Sequence, residues 1–93
     1  MTSIPDCAQL LKSLSDDTRL TVLRQLMSGP KRVAELNADI GAEQSLFSHH
    51  LRILRERGLV VASREGKGVS YRLAPGVKKR NALNLGCCEL RFG

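Results

Sequence analysis

Glu43-Gln44-Ser45-Leu46-Phe47-Ser48-His49-His50-Leu51-Arg52-Ile53-Leu54-Arg55-Glu56-Arg57 is the stretch whose reading decides the fold. Phe47, Leu51 and Leu54 recur at helical spacing, so the segment predicts a helix with one apolar side. His50 lies beside that side. Gln44, Ser45, Ser48, His49, Arg52 and Arg55 fall on outer or flanking positions. Gly58 closes the helix, because glycine alone enters the left-handed conformation of a helix end without steric cost.

Upstream, Val33, Leu36 and Ile40 draw a second, shorter helix ending at Gly41. Only Gly41 and Ala42 separate the two, which is the spacing of a helix-turn-helix. Further upstream, Leu20, Val22, Leu23, Leu26 and Met27 mark a broadly apolar helix. Ser15, Asp16 and Asp17 are its cap candidates, and Ser28-Gly29-Pro30 stops it. Before it, Cys7, Leu10, Leu11 and Leu14 form one apolar stripe. Ser3 with Asp6, and Pro5 between them, resemble a helix start.

Downstream the period changes from helical to alternating. Leu59 to Arg64 is β-prone, Glu65-Gly66-Lys67-Gly68 reads as a turn, and Val69 to Leu73 alternates with Val69 and Tyr71 inward. A helix-turn-helix followed by a basic hairpin is a winged helix. Pro75-Gly76 ends that unit, dividing the chain into a winged-helix domain, 1–75, and a tail, 76–93. In the tail, Val77-Lys78-Lys79-Arg80 reads as a basic link. Beyond it, Leu83 and Leu85 alternate on one parity and Cys88, Leu90 and Phe92 on the other. A strand bulged at Gly86-Cys87 would restore one apolar side; a simple covering tail is the other reading. The expected fold is mainly α with a small β-hairpin, ending in a short extended tail instead of a long terminal helix.

Charge is unevenly placed. The net charge is +6. From Gln44 to Arg80 nine Lys/Arg face two acids, whereas the rest of the chain is near neutral. A basic half beside a neutral one is the electrostatic footprint of a polyanion binder. Aromatic residues are limited to Phe47, Tyr71 and Phe92, which argues against RNA and single-strand readers that stack bases on exposed rings. There is no phosphate loop, nucleophile motif or paired-carboxylate cluster, so an enzyme is the weakest reading. No apolar run approaches the ~20 residues of a membrane span. With no secretory-type start and an odd number of cysteines, the expectation is a cytoplasmic protein with free thiols.

Phe47-Ser48-His49-His50-Leu51-Arg52-Ile53-Leu54-Arg55-Glu56-Arg57-Gly58-Leu59-Val60, followed by Arg64-Glu65-Gly66-Lys67-Gly68-Val69-Ser70-Tyr71-Arg72-Leu73, resembles the ArsR/SmtB type of winged-helix repressors. Leu14-Ser15-Asp16-Asp17-Thr18-Arg19-Leu20 and Val33-Ala34-Glu35-Leu36 extend the resemblance, which runs from Leu11 to Leu73. It implies a homodimeric repressor that sits on an inverted-repeat operator in double-stranded DNA and leaves when an inducer binds. Two departures stand out. Arg32-Val33-Ala34-Glu35-Leu36-Asn37 lacks the cysteine-containing box of many metal sensors, and the tail does not read as the long helix that builds the usual dimer contact. The dimer would then rest on the first helix plus the tail.

A major groove admits one helix, whose exposed N-terminal side chains read base edges. Gln44, Ser45, Ser48 and His49 hold that position, and the resemblance points to the same four. Lys31, Arg32, Arg52, Arg64 and Lys67 are the phosphate-anchor candidates. His50, turned from His49 by about 100° on a helix of 3.6 residues per turn, reads as structural. Cys87 and Cys88 are vicinal and Cys7 is remote. Three thiols suit As(III) or a soft metal ion, and a thiol-directed oxidant is the third effector class they could sense. Adjacent strand residues point to opposite faces, so a shared ligand needs a bulge or turn at Gly86. The alternative is structural cysteines in a DNA-binding or protein-interaction module without a ligand.

Overall fold

The computed structural model describes residues 7–92. The helix start read at Ser3, Pro5 and Asp6 lies outside the described residues. Four helices come first: α1 (Cys7–Leu14), α2 (Asp17–Leu26), α3 (Val33–Ala38) and α4 (Gln44–Glu56). A two-residue strand, β1 (Lys31–Arg32), precedes α3. The wing strands β2 (Val60–Glu65) and β3 (Gly68–Leu73) follow α4. The tail contributes β4 (Lys78–Lys79), β5 (Ala82–Asn84) and β6 (Glu89–Arg91). The fold is mainly helical with small antiparallel sheets, a winged helix.

Local chemistry explains the helix boundaries. Of the three cap candidates, Asp16 is the N-cap of α2, its carboxylate accepting from the Arg19 backbone N–H at 3.0 Å. Glu43 plays the same part for α4, accepting from the Leu46 N–H at 3.0 Å. The α3–α4 turn is clasped by Asn37. Its side chain donates to the Ala42 carbonyl and accepts from the Ala42 N–H, both at 2.9 Å. Gly41 meets the turn's demand for a positive φ, 68°.

The inward side of α4, Phe47, Leu51 and Leu54, is buried against Val22, Leu23 and Leu26 of α2 and Leu36 of α3. Fixing that side fixes the outer one: four helical neighbours cannot turn inward without turning these three out. The α1 stripe is narrower than its pattern suggests. Leu10 and Leu14 are buried, but Leu11 is 45% exposed.

The first sheet has the order β1-β3-β2. The wing pairing runs from Val60↔Leu73 to Glu65↔Gly68, so Glu65 and Gly68 are ladder residues, and the turn is only Gly66-Lys67. Gly66 has φ 60°. Glycine in the first central position of a two-residue connection matches the right-handed strand twist. On the other side of β3, Lys31 faces Tyr71 and Arg32 faces Ser70.

The tail corrects the sequence expectation. It is not one bulged strand; it does cover the core, but as a second antiparallel sheet, β4-β5-β6, rather than as a simple tail. The phase slip at Gly86-Cys87 is a chain reversal. Gly86, at φ 91°, donates its N–H to the Asn84 side-chain oxygen at 3.0 Å, and the Leu85 N–H reaches the Cys88 carbonyl at 2.9 Å. The basic link is partly strand, and its Val77 is buried. Val77, Leu83 and Leu85 join the same core as the helices.

Candidate nucleic-acid interface and thiol cluster

Gln44, Ser45, Ser48, His49 and Arg52 are all exposed on α4. Ser45, Ser48, His49 and Arg52 line one wall of a groove whose other wall includes Val69 and Tyr71 of β3. Helix and wing therefore border a single concavity. Leu46, 49% exposed at the same end of α4, is a residue the sequence reading did not single out. Its only signal was an apolar side chain off the inward stripe.

The basic candidates are spread around this concavity. Arg64 and Lys67 are exposed on the wing, Arg32 is exposed on β1, and Lys31 is half-buried beside it. Arg32 lies against the wing: a Cβ added to Gly68 would collide with its guanidinium. Pairing β1 to β3 thus brings a residue far away in sequence against Gly68, which follows Lys67 in the chain. Among the described residues none of these four side chains pairs with a carboxylate, whereas Arg52 reaches Glu56 at 4.0 Å on an open surface. Such an exposed pair contributes little and yields readily to a phosphate.

His50 is structural, as its position implied. It is 7% exposed, and its Nδ1 accepts from Arg19 Nη1 at 2.9 Å, with Asp16 3.9 Å away. Burial pushes its pKa down; the Asp16 carboxylate opposes this, while the Arg19 and His49 charges add to the depression. An arginine N–H can only donate, so Nδ1 is the acceptor in that contact. Burial raises the Asp16 carboxyl, but the Arg19 backbone N–H and the His50 and Arg19 charges outweigh it and hold the group below its ordinary value. Arg19 also donates through Nε to the Ser13 carbonyl at 2.6 Å, and Arg57 Nε donates to the Ser13 hydroxyl at 3.1 Å. Ser13, buried near the end of α1, is thus where α1, α2 and α4 meet. Sequence reasoning missed it, because a serine in a helical stripe carries no sign of its partners.

The three cysteines come together. Cys7 on α1 is joined to Cys87 by a disulfide, which corrects the expectation of three free thiols. Cys88 is the remaining thiol, its Sγ 3.6 Å from Cys7 Sγ and 4.0 Å from Cys87 Sγ. All three sulfurs lie within 4.8 Å of one another. The turn at Gly86 achieves what a regular strand forbids, aiming vicinal side chains at one point. Three soft donors this close fit a thiophilic ion once Cys7 and Cys87 are thiolates; as a disulfide they lack the charge to ligate.

A helix-turn-helix with a basic wing defines the class: a winged-helix protein. A model described as bacterial regulatory protein, arsR family, matches residues 16–61. The transcriptional regulator NmtR of Mycobacterium tuberculosis is 47% identical over 66 residues, 71% of this chain and 55% of that protein. The arsenical resistance operon repressor of Escherichia coli is 41% identical over 68 residues, 72% of this chain and 58% of that protein. The crystal structure of the transcriptional repressor BigR from Xylella fastidiosa aligns with a TM-score of 0.68 at 40% identity, covering 75% of this chain and 69% of that one. The chain belongs to the arsR family, whose members are transcriptional regulators and not enzymes. It spans 55–60% of the length of the curated relatives it matches. Among the described residues no helix is long and apolar enough to cross a membrane.

Proposed function

We propose that this protein is a sequence-specific repressor that binds a double-stranded operator and releases it when an effector occupies its thiols. The observation that carries the reading is the arrangement around α4. Its Gln44, Ser45, Ser48 and His49 side is open, and Lys31 and Arg32 of β1 with Arg64 and Lys67 of the wing, none paired with a carboxylate among the described residues, flank it. In this reading Gln44 pairs with adenine through two hydrogen bonds. Ser45, Ser48 and His49 contact bases or phosphates, and Leu46 packs on a thymine methyl. Lys31, Arg32, Arg52, Arg64 and Lys67 anchor phosphates and set register without reading sequence.

The protein works as a cytoplasmic homodimer on an inverted repeat, its half-sites about one helical turn, roughly 34–36 Å, apart. Exposed Leu11 on α1 and the second sheet supply the contact between copies. The effector is As(III) or a soft metal ion at Cys7, Cys87 and Cys88. The sulfur donor set supports this, and the relative named for arsenical resistance makes arsenite the first effector to try. Contacts run from that cluster to the recognition helix: Cys7 lies on α1, Ser13 of α1 holds Arg19 and Arg57, and Arg19 holds His50 of α4.

Selection from a random duplex library followed by anisotropy titration tests the reading. Enrichment of an inverted repeat, with release by arsenite, is the expected result. Sequence-independent binding that no thiol-directed effector reverses would favour a ligand-independent DNA-binding module. No DNA binding at all would leave a protein-interaction module.

A further inference from the structure

The sulfur cluster joins parts of the chain 80 residues apart, and it is found closed. We infer that the Cys7–Cys87 disulfide is a redox gate on the effector site, with Cys88 as the thiol that exchanges with it. The inference rests on reading the cluster as an effector site, and it adds that oxidation state decides whether the site can be filled.

Closure removes two of the three donors, because a disulfide sulfur has given up the thiolate lone pair and charge that a thiophilic ion needs. The remaining Cys88 is one ligand, too few for As(III). Opening takes two electrons, one from each of two small thiols. One thiolate attacks the Sγ of Cys87, which is the more exposed partner, forming a mixed disulfide there and expelling the Cys7 thiolate. A second thiolate attacks the external sulfur of the mixed disulfide. It leaves as a symmetric low-molecular-weight disulfide and frees the Cys87 thiolate. The reverse sequence, with a low-molecular-weight disulfide as oxidant, closes the gate. In the open state As(OH)3 and three thiols give three As–S bonds and three waters, so protons and oxygens balance.

Cys88 adds a second property. Its Sγ is nearer to Cys7 Sγ, 3.6 Å, than to Cys87 Sγ, 4.0 Å. Attack of its thiolate on Cys7 forms a Cys7–Cys88 bond and releases Cys87 as thiolate, with no external oxidant or reductant. Attack on Cys87 would instead close a strained ring through a single peptide bond and cut the tail loose from α1. The exchange that keeps the tether moves the reactive sulfur from half-buried position 88 to exposed position 87.

The test uses the purified full chain in two states, reduced with a phosphine that is then removed, or oxidised with glutathione disulfide. Circular dichroism, thiol titration, intact mass with arsenite, and a map of alkylated cysteines are recorded for each. The reduced chain is expected to keep its helices, titrate all three thiols, take up one arsenic and then titrate none. The oxidised chain is expected to titrate one thiol and take up no arsenic, with native alkylation divided between Cys87 and Cys88. In oxidised Cys88→Ser no thiol should remain, and every disulfide should be Cys7–Cys87. Arsenic uptake unchanged by oxidation overturns the gate alone. Reduced protein that folds but takes up neither arsenic nor, in a parallel titration, Cd(II) overturns the effector reading and the gate with it. Reduced protein without helices marks the bond as a staple and also overturns the gate. Alkylation confined to Cys88 overturns the exchange.

Discussion

Replacing Lys67 by alanine and, separately, Gln44 by alanine divides the DNA interface into its two physical parts. Lys67 is exposed at the wing tip with no carboxylate partner among the described residues. Its assigned work is to neutralise one phosphate. Each such contact contributes about −0.9 to the slope of log affinity against log salt. With Lys31, Arg32, Arg52, Arg64 and Lys67 all engaged, one half-site has a slope near −4.5, and Lys67→Ala lowers it to about −3.6. Over a fourfold rise in salt the wild-type half-site then loses roughly 500-fold in affinity and the variant roughly 150-fold. The loss at any one salt concentration should be the same on operator and random duplex. Gln44→Ala should behave oppositely. The salt slope stays, operator affinity falls by about 1–3 kcal/mol per half-site, and random DNA is bound as before. Fluorescence anisotropy at four salt concentrations on both duplexes measures all of this. Equal loss on operator and random DNA for Gln44→Ala, or an unchanged slope for Lys67→Ala, refutes the division of labour.

Other outcomes follow from the packing. Phe47→Ala removes a side chain that is 1% exposed at the centre of the core, and should cost roughly 3–5 kcal/mol in denaturant unfolding, much of what so small a domain has. Asp16→Ala deletes the α2 cap and should cost about 1 kcal/mol, seen as a drop in Tm of roughly 4–8 °C. Because the unfolded chain protonates His50 at a higher pH than the folded chain does, stability should fall as pH drops below the ordinary value of 6.5 and through the depressed folded value. His50→Asn should flatten that decline in Tm-against-pH curves, and an unchanged decline would exclude His50 as its source. Reduction of the disulfide, which closes a loop of 80 residues, should lower stability by at most about 4.5 kcal/mol in the chain-entropy picture; calorimetry of both states, with no difference, would show the tail held by packing alone.

What was legible in the sequence is what is locally periodic. The inward stripe of α4 and the alternation through Tyr71 gave the helix, the wing and the outward side chains, because burying Phe47, Leu51 and Leu54 leaves the rest of that helix no choice. The strand at Lys31–Arg32 was not legible. Two charged residues have no alternation, and they are extended only because β3 offers them a free edge. The second sheet was hidden for a related reason. Strands as short as Ala82–Asn84 and Glu89–Arg91 leave too few positions to distinguish a reversal from a bulge, and the Asn84 side chain that fixes the turn looks like any polar residue. The thiol cluster was half-legible. Vicinal cysteines suggested a ligand, but nothing local could bring Cys7 to them. Leu11 fitted the α1 stripe by spacing alone and is largely in solvent, since spacing says which residues share a side but not how wide the buried part is.

Amide chemical-shift mapping of the reduced protein during titration with its selected duplex addresses the central claim most directly. The account requires the largest changes at Gln44 to Arg52 on α4 and at Arg64 to Gly68 on the wing, with a smaller set at Lys31 and Arg32. Changes centred on β4, β5 and β6 or on α1, with the outer side of α4 unmoved, would contradict it.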